Sequence, residues 1–175
     1  MASKAKELVL ECKREHDNCL YTSTSLFIWL RCLRMLRVLF VILPLFFGSL
    51  GTWKLLTTSD LESVKILVSV CSFVAGLLPA IYSGLKFDSS LDTCRQLAGE
   101  FKNLQDRFRQ IGLVSSQKPF SEFEKDFQGL MKRMETARSH SYTAPEWCFK
   151  RAQQKINAGD YAFDVDQIAL PDDQT

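Results

Sequence analysis

Two stretches of this chain, 38–53 and 66–85, contain no Asp, Glu, Lys, Arg or His, while on either side apolar residues return only every third or fourth position. At about 1.5 Å of rise per residue, 66–85 makes a helix about 30 Å long, the thickness of a bilayer core. In a chain of 175 residues, a helix apolar on every side has little protein to hide behind, so the pattern predicts a transmembrane helix over 65–85. The first run predicts a second span over 36–56. Arg37 and Lys54 lie near its ends, where they can snorkel, and Trp53 stands where an interfacial aromatic is expected. A cleaved signal peptide is the competing reading of this run, but it begins far from Met1 and no A-x-A site follows.

The fold class that follows is an all-α membrane protein. It has a two-span transmembrane hairpin, an N-terminal helical segment over 1–35, an external loop over 57–64 and amphipathic, coiled-coil-like helices over 86–157. An acidic tail occupies 158–175. Arg31, Arg34 and Arg37 precede the first span and Lys86 and Arg95 follow the second, so positive charge puts both termini on the cytoplasmic side. Together with Lys54, residues Arg31, Arg34, Arg37 and Lys86 are the candidate anchors to anionic lipid.

Within the second span, Ser69, Ser72, Gly76, Ala80 and Ser83 recur at steps of three and four and share one helical face. Leu67, Val70, Val74, Leu78 and Ile81 take the opposite face. The first span has Pro44, Gly48 and Thr52 at four-residue spacing. Small residues let backbones approach closely in lipid, and hydroxyls bond across helices. The small faces either pack the two spans against each other or face further copies, and two helices cannot enclose a channel without such copies. Pro44 and Pro79 are candidate kinks, with Pro79 beside Gly76 a natural flex point.

Beyond the second span, Phe87, Leu91, Cys94, Ala98, Phe101, Leu104, Phe108 and Ile111 form a heptad-like stripe that continues directly from it, with Gly112 as its end. Pro119 opens another helix with Phe120, Phe123, Phe127, Leu130, Met134 and Ala137 on one face. The two stripes predict an antiparallel pair, closed within one chain or used for self-association. A third helix is expected from Thr143-Ala-Pro-Glu146, read as a capping box, to about Asn157, with Gly159 as its stop and Trp147, Phe149, Ala152 and Ile156 as its apolar face. The tail is acidic yet keeps Tyr161, Phe163, Val165, Ile168 and Leu170, which are candidates for docking. At the other end, Ser3 is a candidate cap, Leu8, Cys12, Cys19, Leu26, Leu30 and Leu33 share much of one face, and Tyr21-Thr-Ser-Thr-Ser25 is expected to interrupt the helix.

Composition narrows the chemistry. Apolar residues are 46% and charged residues 24%, too ordinary for a disordered chain, and a formal charge of +2 gives no ground for nucleic-acid binding. The six cysteines form no C-x-x-C pair and read as reduced thiols. Cys12, His16 and Cys19 share a helical face, but a fourth zinc ligand is not evident. No nucleotide loop, nucleophile elbow or metalloprotease motif occurs, and neither span holds an ionisable group of the kind a proton relay or intramembrane enzyme keeps. No catalytic residue, metal ligand or cofactor is therefore assigned, and the chain is not expected to be an enzyme.

The arrangement of an N-terminal helix, a tight two-span hairpin and an amphipathic helix after the second span resembles the SLATT family. The likeness covers about 5–111 and rests on Ala80-Ile-Tyr-Ser-Gly-Leu85 running into Leu91, Cys94, Leu97, Phe101 and Leu104. Members are two-span effector domains of bacterial nucleotide-dependent and reverse-transcriptase-linked conflict systems. The resemblance implies a homo-oligomer in the bacterial inner membrane that forms a pore or disrupts the bilayer in antiviral defence, arresting growth when a separate sensor protein activates it. The alternative is a passive two-span scaffold or the anchor subunit of a larger complex.

Overall fold

In the computed structural model, residues 2–56, 62–139 and 142–161 are described, without the side chains of Ala2, 50–56, 62–65 and 67. The described residues are helical, with short turns between. They form α1 (Ala2–Leu56), α2 (Glu62–Gly84), α3 (Phe87–Val114), a 3-10 turn (Ser115–Gln117), α4 (Phe120–Ser139) and α5 (Glu146–Asn157). The all-α class read from the sequence holds. The chain divides into two compact units, one of Met1–Trp29 with Cys94–Thr175 and one of Leu30–Thr93.

The first unit is a helical bundle with a largely apolar core. Cys12, Cys19 and Leu26 from α1 are buried, as are Cys94, Leu97, Ala98, Phe101, Leu104 and Phe108 from α3. Phe123, Leu130, Met134 and Ala137 from α4, and Cys148 and Ala152 from α5, complete it. Contacts fix the directions. The Cys94 thiol donates to the Leu26 carbonyl at 3.5 Å, Gln105 Nε2 meets His16 Nε2 at 3.3 Å, and a Cβ on Gly112 would lie 3.5 Å from Cys12 Cβ, so α3 runs antiparallel to α1. Phe108 meets Phe127 edge-on at 6.0 Å, and Arg133 Nη2 donates to Glu100 Oε2 at 3.0 Å, so α4 is antiparallel to α3. The predicted α3–α4 pair is thus present, and the N-terminal segment, expected as a separate piece, forms part of the same core.

Several expectations are corrected here. The interruption at Tyr21–Ser25 does not occur, and α1 passes through it. Thr22 donates to the Asn18 carbonyl at 2.8 Å, Ser23 to Leu20 at 3.1 Å and Ser25 to Thr22 at 2.8 Å. The hydroxyls that would compete with the helix in isolation are satisfied by its own preceding turn, and Ser23, Thr24 and Ser25 are small enough to be buried. Ser3 lies inside α1 and donates to Glu7 Oε1 rather than capping the helix. Thr143 forms no capping box, because the residue at the N-cap of α5 is Pro145, without a side-chain cap. Trp147 and Phe149 lie outside the core, exposed on α5, with Trp147 edge-on to Trp29 at 6.1 Å and Phe149 against Tyr21 at 6.1 Å. Gly112 does not end α3, which continues to Val114. Gly159, at φ +85°, does turn the chain after α5. Of the proposed docking residues of the tail, Tyr161 is exposed and Phe163 to Leu170 lie outside the described residues.

Candidate membrane hairpin

The second unit contains the predicted spans, and its surface is apolar. Met35, Val38, Leu39, Val41, Ile42, Leu45 and Phe46 are exposed on α1, as are Ile66, Val70, Phe73, Leu77 and Ile81 on α2. Phe73 is 68% exposed and Leu45 70%, values that a water-facing helix avoids for contiguous large side chains. Only Leu30, Leu33 and Leu91 are buried among the described side chains of this unit. Half-buried residues mark one face of each helix: Leu36, Phe40, Leu43, Phe47 on α1, and Val68, Cys71, Ala75, Leu78, Tyr82 on α2. The 5.9 Å ring contact of Phe40 with Tyr82 joins those faces.

The small face of α2 is elsewhere. Ser69, Ser72, Gly76, Pro79, Ala80 and Ser83 are all exposed, and a Cβ added to Gly76 would meet nothing within 4 Å. The simpler expectation, in which this stripe packs against the first span, is therefore not what the hairpin shows. Pro44 and Gly48 are half-buried, and a Cβ on Gly48 would likewise meet nothing within 4 Å. Both prolines lie inside unbroken helices. Predicted span one ends with α1 at Leu56, whereas α2 begins at Glu62, so part of the expected 57–64 loop is helical.

Span two and the stripe after it do not form one helix. They part at Leu85 and Lys86, and the segments Val68–Gly84 and Phe87–Gln117 meet at a bend of 47°. Lys86 has φ +47°. Around the break, the Tyr82 and Phe87 rings stack at 5.7 Å and 14°, and Phe40 leans on both. The Tyr82 hydroxyl donates to Asp88 Oδ1 at 2.8 Å, and Arg37 Nε lies 3.4 Å from the same oxygen. Phe87 therefore belongs to this cluster, while Leu91, Cys94, Ala98, Phe101, Leu104 and Phe108 are buried within the chain and offer no open seam to another copy. Sequence reasoning missed the cluster because its members lie on three helices. The only local signal was an aromatic and an acid just after the second apolar run.

Among the candidate lipid anchors, Arg31, Arg34, Arg37 and Lys86 are exposed, Arg37 being paired with Asp88. The Lys54 side chain lies outside the described residues. No single helix among the described residues is long and apolar enough to cross a membrane. The bent pair meets that measure only together, and its α3 half carries Asp88, Asp92 and Arg95. Both predicted spans extend into 50–65, whose side chains are not described.

The Cys12, His16 and Cys19 face is not a metal arrangement. Among the described residues no three His, Cys, Asp or Glu gather as metal ligands. His16 bonds Asp17 and Gln105 instead. Burial, with Glu11 nearby, pushes the Cys12 thiol up to about 11, and burial with Glu15 pushes Cys19 up to about 12, against Arg138. Such thiols stay protonated near neutrality and are poor ligands and nucleophiles. No protein-family model matches the chain, and no curated protein or solved structure was found to be similar to it.

Proposed function

We propose that this chain is a two-span membrane protein whose hairpin assembles with further copies through the small face of α2, and that the assembly acts as a membrane effector under the control of a separate sensor. The observation that carries the reading is the surface of the second unit. Large apolar side chains stand exposed along both helices, and neither 38–53 nor 66–85 holds an Asp, Glu, Lys, Arg or His. Hydrocarbon is the solvent in which that surface has no cost. In such a solvent Ser72, Gly76, Ala80 and Ser83, exposed with Ser69 along one face of α2, offer a surface that a helix from another copy fits by close backbone approach. The balanced charge and the absence of catalytic motifs favour an effector that acts by assembly over one that acts by chemistry.

The test is membrane potential and dye permeability in bacteria expressing the chain, alone and with the proteins of neighbouring genes, with Gly76→Leu as the matched variant. A Cβ at Gly76 meets nothing within 4 Å among the described residues, so a larger side chain there is directed at an approach from outside rather than at the packing of the hairpin. Depolarisation by the native chain and not by the variant is the expected result. An intact potential in every combination, with both proteins inserted, leaves a passive hairpin.

A further inference from the structure

The break between α2 and α3 sits where the sequence does not ask for one. A helix commonly ends with glycine in the left-handed region, but here the left-handed residue is Lys86, and the glycine is two positions earlier at Gly84. No proline occurs between Pro79 and Pro119. For a residue with a Cβ, the left-handed conformation weights the equilibrium against itself by a factor of about five to thirty. The backbone pairing also breaks. Leu85 N–H reaches the Ile81 carbonyl at 3.0 Å and Lys86 N–H the Ser83 carbonyl at 3.3 Å, and pairing resumes with Ser90 N–H on the Lys86 carbonyl at 3.2 Å. Phe87, Asp88 and Ser89 are the first residues of α3, ahead of that bond, where a helix has no i−4 carbonyl of its own to offer, whereas a continuous helix would pair all three.

Side chains supply what the backbone loses. Tyr82 stacks on Phe87 and donates to Asp88 across the break, Phe40 from α1 packs against both rings, and Arg37 from α1 sits beside the Asp88 carboxylate. Neither Tyr82 pairing could form if Phe87 and Asp88 simply continued α2, because residues five and six positions apart on a helix do not face one another. The contacts of Tyr82 with both exist only when the chain turns. The bend is thus held by a side-chain latch against a backbone that favours continuity.

We propose that the junction of α2 and α3 is a two-position elbow, bent when Tyr82, Phe87, Asp88 and Arg37 are engaged and straight when they part and α2 runs on into α3 as one helix. This goes beyond the effector reading and does not require it. For an effector, such an elbow is the bistable element that a trigger needs to act on.

Hydrogen exchange followed by mass spectrometry on the full chain in detergent micelles tests it, read on peptides covering 85–90 with a core peptide covering 97–108 as the folding control. In the native chain the Phe87, Asp88 and Ser89 amides exchange quickly. Tyr82→Phe with Asp88→Ala releases the latch and slows these amides by about tenfold, the factor that the left-handed residue holds in reserve. Ser89→Ala, which raises helix propensity equally without touching the latch, leaves them fast. Lys86→Gly relieves the strained residue and also leaves them fast. Unchanged exchange in the latch variant with the core peptide protected overturns the elbow, as does slowing by Lys86→Gly. Should the latch variant lose core protection, Arg37→Ala decides by the same readout, slower exchange supporting the elbow and unchanged exchange overturning it. A chain that never enters a membrane gives the same answers, so failure here is separate from failure of the effector reading.

Discussion

The two units distribute one alphabet of side chains in opposite ways. Phe108 in the first unit is fully buried and touches Phe127, while Phe73 in the second is 68% exposed. The polar groups reverse as well. Glu15 and Gln105 are buried in the first unit with partners, Glu15 accepting from Asn18 and Arg138 and Gln105 from Lys102. In the second unit none of the described polar side chains is buried, and small hydroxyls lie on the surface. The first unit is stabilised as proteins in water are, by taking apolar area inside. The second has almost no inside, so its stability depends on what surrounds it.

The largest expected effect sets those phenylalanines against each other. Phe108→Ala removes a ring from a closed core and costs about 3–5 kcal/mol, read as a loss of unfolding free energy in micelles. Phe73→Ala, the same deletion on an exposed face, stays within about 0.5 kcal/mol. Equal losses would break the contrast and mean that Phe73 is buried in the protein as it exists. Next comes charge. Val70→Arg places a cation in the middle of the second apolar run and costs about 2.5–3.5 kcal/mol of insertion, read as chain lost from the membrane fraction. Leu10→Arg, at a residue also exposed but in the first unit, leaves the fractionation as it was.

A third effect appears only at high pH and only in the first unit. Cys19 and Cys12 are held protonated to about 12 and about 11, above the ordinary thiol value, mainly because burial disfavours the thiolate. Between about 9 and those values the unfolded chain has lost protons that the folded chain keeps, so folding stability falls as pH rises through that window and is fully present below it. The denaturant midpoint of the native chain therefore drops between pH 8 and pH 10.5 by more than that of Cys19→Ala. A parallel drop in both would show that Cys19 is not the sensitive group. Smaller again is Tyr142→Phe. It leaves the Trp29 Nε1–H, which donates to the Tyr142 hydroxyl at 2.7 Å, without an acceptor, at about 1–2 kcal/mol on the same unfolding measurement.

What the sequence disclosed follows the same division. Helix stripes such as Phe101, Leu104 and Phe108, or Phe123, Leu130 and Met134, were legible because burial on one side imposes the helical period. The uncharged runs were legible because their composition is itself the signal. What remained hidden depends on partners distant in the chain. The helix persists through Tyr21–Ser25 because small residues there can be buried once α3 and α4 are present, which local propensity does not register. The elbow was read as a continuous helix because the stripe keeps its spacing across Leu85 and Lys86, and only the meeting of Phe40 and Arg37 with Tyr82 and Asp88 reveals the turn. The small face of α2 was readable as a face but what it packs against was not, since periodicity reports which residues share a side and never what lies opposite.

The smallest effect is also the most direct comparison, because each unit offers a largely exposed arginine–carboxylate pair between helices. Arg133 and Glu100 join α4 to α3 with side chains 45% and 30% exposed, and Arg37 and Asp88 join α1 to α3 with side chains 53% and 58% exposed. A double-mutant cycle on the first pair gives about 0.2–1 kcal/mol, declining with added salt, because water and ions screen it. If the second unit were bathed in water alone, the cycle on Arg37 and Asp88 would give the same small value and the same salt dependence. Its position just before the first apolar run and just after the second predicts otherwise in a bilayer, where one side of the pair faces low dielectric and the attraction is less screened. In vesicles the coupling of Arg37 to Asp88 should therefore exceed that of Arg133 to Glu100 and keep more of its strength at high salt, whereas in micelles stripped of lipid the two should converge. Indistinguishable couplings in vesicles would mean that both pairs see the same water, and the opposition between the two units would fail at the residues that border it.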